Sequence, residues 1–127
     1  MKYWSFKSIS GNFLDIVDRV KSELAEGGFG ILFDIDIKDK IREKLGRKFE
    51  DYRIIWVCKP SIGYSVLENQ IEAGLLLPCH VTVFEKGGNV HVGFLSPKKI
   101  LSLADNEKID LVAEEAEKQL QVIFKNI

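Results

Sequence analysis

Cysteine, methionine and proline are scarce in this chain of 127 residues, which holds two Cys, one Met and three Pro. Cys58 and Cys79 are too few and too far apart for a disulfide framework or a four-ligand zinc site, and no CxxC occurs, so reduced thiols are expected. Long apolar runs are missing as well. Stretches such as Ile54 to Cys58 and Gly74 to Leu77 fall far short of the roughly 20 residues of a membrane-crossing helix. Neither sign of charge dominates. Lys plus Arg number 18 against 19 Asp plus Glu, a net charge of -1, far from the basic balance that lets counterion release drive nucleic-acid binding. Met1-Lys2-Tyr3-Trp4-Ser5-Phe6-Lys7 lacks the apolar stretch and small-residue cleavage site of an export signal, which makes the cytoplasm the expected location. Neither a membrane nor a nucleic acid is expected as a partner.

Familiar chemical signatures are absent too. There is no GxSxG, no Walker loop and no His-x-x-x-His pair. Gly27-Gly28-Phe29-Gly30 opens into a strand instead of a helix, so it is no dinucleotide fingerprint but a helix-to-strand turn. No cofactor and no metal are expected.

Apolar residues at 46% and charged residues at 29% predict a real core, and the absence of repeats or linkers predicts one domain over residues 1–127. Residues 2–9 read as a strand. Phe13, Ile16, Val17, Val20 and Leu24 then fall at helical spacing over residues 12–26. Phe29 to Asp36 reads as a strand with Phe29, Ile31, Phe33 and Ile35 on one face, followed by a helix for which Asp36 is the expected N-cap. Arg53 to Cys58 is rich in β-branched and aromatic residues, and a helix over residues 61–72 follows Pro60.

Cys79 to Glu85 and Asn89 to Leu95 flank Gly87-Gly88, a two-residue loop suited to a tight hairpin. That loop pairs Lys86 with Asn89 and Phe84 with His91. Val81, Val83, Val90, Val92 and Phe94 then share the core face, while His80, Thr82, Phe84, His91, Gly93 and Leu95 share the other. Ser96-Pro97 opens a short helix, and Ile109, Val112, Ala113, Ala116, Leu120 and Ile123 mark a long one. The expected fold class is α+β, a largely antiparallel or mixed sheet of four to five strands with helices mainly on one face.

Gly28-Phe29-Gly30-Ile31-Leu32, Tyr52-Arg53-Ile54 leading to Cys58-Lys59-Pro60, and Gly74-Leu75-Leu76-Leu77-Pro78-Cys79 together resemble the domain-of-unknown-function family numbered 302, from about residue 11 to Ser96. The family often carries Asn where this chain has Lys59 and His80. The resemblance implies a small α+β domain with a layout like the TATA-binding-protein group and a homodimeric state. It implies no particular activity.

Two groups of candidate site residues emerge. In Cys58-Lys59-Pro60-Ser61, a thiol at a strand end precedes an ammonium and a helix start, both of which stabilise a thiolate or hold an anionic ligand. The plainer alternative is a small buried hydrophobe. Cys79 joins this group only if the strands run antiparallel or offset, because parallel neighbours would hold the thiols about 17 to 20 Å apart, beyond the roughly 7 Å that a disulfide spans between Cα atoms. The second group is the outward hairpin face, His80, Thr82, Phe84, His91 and Leu95, a mixed surface for solvent, a ligand or a second subunit. His80 and His91 stand about 13 Å apart in this register, too far to share an ion.

Other residues have competing readings. Asp34 and Asp36 form either an acid/base pair or a surface residue beside a helix cap, and Glu68 and Glu72 either project together as ligands or point into water. Lys38 to Lys48 holds six basic and two acidic residues, and Asp105 to Glu117 six acidic and one basic. Both read as solvated faces, the first also as a phosphate or acidic-partner site. The expectation is thus a noncatalytic homodimeric binding or interaction module with room for a small-molecule ligand. Its rival is a thiol-dependent redox or ligand-processing protein centred on Cys58.

Overall fold

A computed structural model describes residues 2–77 and 79–127; Met1 and Pro78, both within stretches quoted above, lie outside the described residues. Five strands, β1 (Trp4–Ile9), β2 (Gly30–Asp36), β3 (Tyr52–Cys58), β4 (Cys79–Lys86) and β5 (Asn89–Leu95), form one sheet in the order β1-β5-β4-β3-β2. Every neighbouring pair runs antiparallel, which removes the mixed alternative and confirms the α+β class.

The β4–β5 hairpin has the expected register, with Lys86 opposite Asn89 and Phe84 opposite His91. Gly87 and Gly88 take φ of 64° and 81°, the pair of positive angles that matches a two-residue turn to the strand twist. Val81, Val83, Val90, Val92 and Phe94 are all buried, so this face is core.

Helices cover that face. In α1 (Phe13–Glu26), Asn12 caps the start by accepting the Asp15 N–H at 3.1 Å, and the buried stripe is the expected Phe13, Ile16, Val17, Val20 and Leu24. In α5 (Glu107–Asn126), Asn106 accepts the N–H groups of Lys108 and Ile109, and Ala116, Leu120 and Ile123 join the α1 stripe against Ile55, Val57 and the hairpin valines. Nearer the start of α5, Ile109 and Ala113 pack in a second cluster with Val66 of α3 (Pro60–Asn69) and Leu101 of α4 (Pro97–Leu101). The short α2 (Ile37–Leu45) buries no residue fully, although Asp36 caps it as expected, accepting the Asp39 N–H at 3.0 Å.

Two readings of the sequence need correction. Phe29, Ile31, Phe33 and Ile35 do not share a strand face. Phe29 is buried just before β2, and the pairing with β3 shifts between Ile31 and Phe33, leaving Leu32 as an extra residue that turns Phe33 to the other side. The helix expected over 61–72 ends at Asn69, and a 3-10 stretch takes over at Ile71–Leu76. Glu68 and Glu72 therefore belong to different elements, both exposed, and do not form a one-turn pair.

Candidate functional site: the uncovered face of the sheet

The pairing registers place most outward residues of the five strands in three rows, with Lys86 and Asn89 continuing the same face at the hairpin end. Ser8, His91, Phe84 and Tyr52 form the first; Phe6, Gly93, Thr82, Ile54 and Ile35 the second; the third runs through Trp4 and Leu95, then His80, Trp56 and Phe33. No position in the three rows is Lys, Arg, Asp or Glu. The expected face residues His80, Thr82, Phe84, His91 and Leu95 thus lie together at its centre. Sequence reasoning missed the contributions of β1, β2 and β3, because which strands flank the hairpin is a long-range fact. Their signal was the alternation of Trp4 and Phe6, and of Tyr52, Ile54 and Trp56.

The aromatic rings order one another. Phe84 lies between Tyr52, stacked at 5.1 Å, and His91, stacked at 5.2 Å, with Phe6 edge-on at 5.6 Å. Trp56 meets His80 edge-on at 5.5 Å and Phe33 at 6.1 Å. His91 is further fixed by Nε2 lying 3.1 Å from the Lys86 carbonyl. Burial lowers the pKa of His80, so its imidazole is neutral at pH 7. Over the second and third rows lies an open hollow of about 460 Å3, lined by Tyr3, Trp4, Phe6, Tyr52, His80, Thr82, Gly93, Phe94 and Leu95.

At one end of the sheet, antiparallel pairing sets Cys79 opposite Val57, the residue before Cys58, so the two cysteines are neighbours across β3 and β4. Both thiols are free. The expected thiolate activation is not what the geometry gives. Lys59 Nζ turns away to Gln119 Oε1 at 2.8 Å and to the Gly27 carbonyl at the end of α1 at 3.4 Å, above the ring of Phe29. Cys58 Sγ donates to the Lys59 carbonyl at 3.7 Å, and Gly63 leaves room for it, since a Cβ there would stand 3.1 Å from the sulfur. Burial raises the Cys58 pKa, while burial first, then Cys58 and Glu117, pushes Cys79 up to about 11. Both are protonated at pH 7. Ser61 is exposed in the first turn of α3.

Asp34 is no surface residue. Its Oδ2 takes Lys21 Nζ at 2.5 Å and Arg53 Nη1 at 2.9 Å, while Oδ1 is buried without a hydrogen bond among the described residues. Asp36 shares its face but caps α2, with Arg53 Nε 3.9 Å away. An arginine set between two carboxylates pairs its charge with theirs, which suits a structural tie better than proton transfer. The basic segment borders a second hollow of about 490 Å3, lined by Lys38, Arg42, Arg47, Lys48, Phe49 and Glu50. Carboxylates within or just beyond the segment answer several of its cations: Asp51 pairs Lys38, Asp39 pairs Arg42, and Glu43 pairs Lys40. Among the described residues no three His, Cys, Asp or Glu cluster as metal ligands, and no helix is long and apolar enough to cross a membrane.

No curated protein matches the chain in sequence. Its fold is similar to the crystal structure of an uncharacterized conserved DUF302 protein from Bacillus stearothermophilus, with a TM-score of 0.90 at 24% identity, covering 97% of this chain and 96% of that one. Residues 4–127 match the domain of unknown function DUF302, and the chain belongs to that family.

Proposed function

We propose that this protein is a noncatalytic binding module that works as a homodimer in the cytoplasm, with the uncovered sheet face as its working surface. The observation that carries the reading is an apolar, aromatic face with no charged residue in its three rows, on which Trp4, Phe6 and Phe33 are 39%, 44% and 64% exposed. A patch of this kind is costly to leave in water. Its size suits a small protein interface. Five strands span about 24 Å and their length is about 20 Å, a flat area of about 480 Å2, toward the low end of specific interfaces and short of the roughly 800 Å2 per partner of a standard one.

Charge favours a second copy as that partner. A two-fold interface brings a patch against itself, so any surplus of one sign is doubled and repels, whereas three rows without charge avoid that penalty. Light scattering on wild type and Phe84→Asp tests this. The wild-type protein is expected at twice the chain mass, and the variant, which places a carboxylate in the middle of the face, as a monomer. A wild-type monomer, or a variant that dimerises as well as wild type, would contradict the reading.

A second reading, a thiol-dependent activity centred on Cys58, draws on the pairing that makes Cys79 its neighbour. Raised thiol pKa values weigh against it, because the thiolate is the reacting species. Alkylation of Cys58 in the folded protein faster than an ordinary exposed thiol would restore it.

A further inference from the structure

We propose that the hollow over the Phe6–Gly93–Thr82 row is a binding site for a flat, neutral aromatic molecule carrying one or two hydrogen-bonding groups. This rests on the reading of the uncovered face as the working surface. The hollow's volume, about 460 Å3, falls in the range of small-molecule sites, about 300 to 1,000 Å3. Trp4, Phe6 and Tyr52 supply ring faces and edges from two strands on either side of the hairpin, which favours a planar aromatic guest. At its centre the Phe6 ring fills the space that Gly93 leaves and forms the floor.

The lining sets the guest's charge. Among the described residues no Lys, Arg, Asp or Glu borders the hollow, so an ionised ligand would lose its hydration with no counter-charge to replace it. The lining residues carry polar groups in the Thr82 hydroxyl, the phenols of Tyr3 and Tyr52, the indole N–H of Trp4 and the imidazole of neutral His80, which is held at its ring by Trp56 and can donate or accept according to tautomer. These fit a phenol, an aryl carbonyl or an aryl amine. A second copy laid on the face closes the hollow's open side and shields such a guest from water.

Titration of the full chain with N-phenylnaphthylamine, a neutral fluorescent aryl amine, tests the assignment. Expected is a saturable rise in probe fluorescence, changed by less than about twofold between low and high salt because no ion pair is made. Thr82→Val, which removes the hydroxyl at nearly constant volume, should weaken binding by about fivefold. Thr82→Trp should abolish it by filling the hollow, and Trp4→Ala, on another strand, should weaken it even if Thr82→Trp fails to fold. Absence of saturable binding, or wild-type affinity in both Thr82→Val and Trp4→Ala, would overturn the assignment. Light scattering on the same samples separates the two readings. A dimer that does not bind the probe overturns the hollow alone, and a monomer that binds it overturns the dimer while supporting the hollow.

Discussion

The ring of Phe6 rests on the backbone of Gly93, close enough that a Cβ built on Gly93 would lie 2.2 Å from Phe6 Cε1. The two residues are direct cross-strand partners on β1 and β5. The glycine is needed for space and not for an unusual backbone angle, and it lets an aromatic side chain lie flat along the open face.

Gly93→Ala should therefore destabilise the protein by about 1–2 kcal/mol, as a forced repacking of a movable, half-exposed ring does. In Phe6→Ala the same substitution should cost much less, because the clash has gone. Denaturant midpoints for the four proteins of this double-mutant cycle measure the coupling. Additive losses would show that the contact carries no energy.

Lys59 ties three elements together, joining the end of β3 to the last carbonyls of α1 and to Gln119 on α5. Lys59→Met should cost about 1–2 kcal/mol, from a charged hydrogen bond and a favourable charge at a helix C-terminus. It should leave the alkylation rate of Cys58 unchanged, since the ammonium faces away from the sulfur. A several-fold slower alkylation in the variant would mean that Lys59 activates the thiol after all.

The Cys79 thiol gives stability a pH dependence of known sign. Burial first, with Cys58 and Glu117 adding, raises its pKa from 9.0 to about 11. Below pH 9 the thiol is neutral in folded and unfolded chains alike, and the full stability is present. Between 9 and 11 the unfolded chain releases its proton first, so stability falls as pH rises, by on the order of 2 kcal/mol for this one group. Denaturant unfolding across that interval should show a shallower decline in Cys79→Ala than in wild type. Parallel declines would place Cys79 in contact with water.

The parts of this molecule fixed by local chemistry were legible in the sequence. The Gly87-Gly88 turn alone set the hairpin register, which in turn set the face of every residue from Cys79 to Leu95. Helical spacing marked the buried stripe of α1 residue by residue. Features that depend on distant partners were not legible. The extra residue at Leu32 breaks the alternation of β2, and only the pairing with β3 reveals it. Lys59 looked like a neighbour of Cys58 because the two adjoin in sequence, yet α1 and α5 supply its partners. Asp34 likewise draws its partners from α1 and β3. The uncovered face was half visible, as the hairpin's outward residues, and gained its aromatic breadth only from strand order.

Side-chain footprinting by hydroxyl radicals tests most directly whether that face is covered in solution. Phe33 on the face and Tyr64 on α3 have nearly equal exposure in the single chain, 64% and 67%, so their labelling relative to free-residue reactivity should match if nothing covers the sheet. At concentrations where the protein associates, the account predicts that Phe33 is labelled several-fold less than Tyr64 on that scale, and that Phe84→Asp restores it. Equal labelling of Phe33 and Tyr64 in the wild-type protein at every concentration would contradict the account.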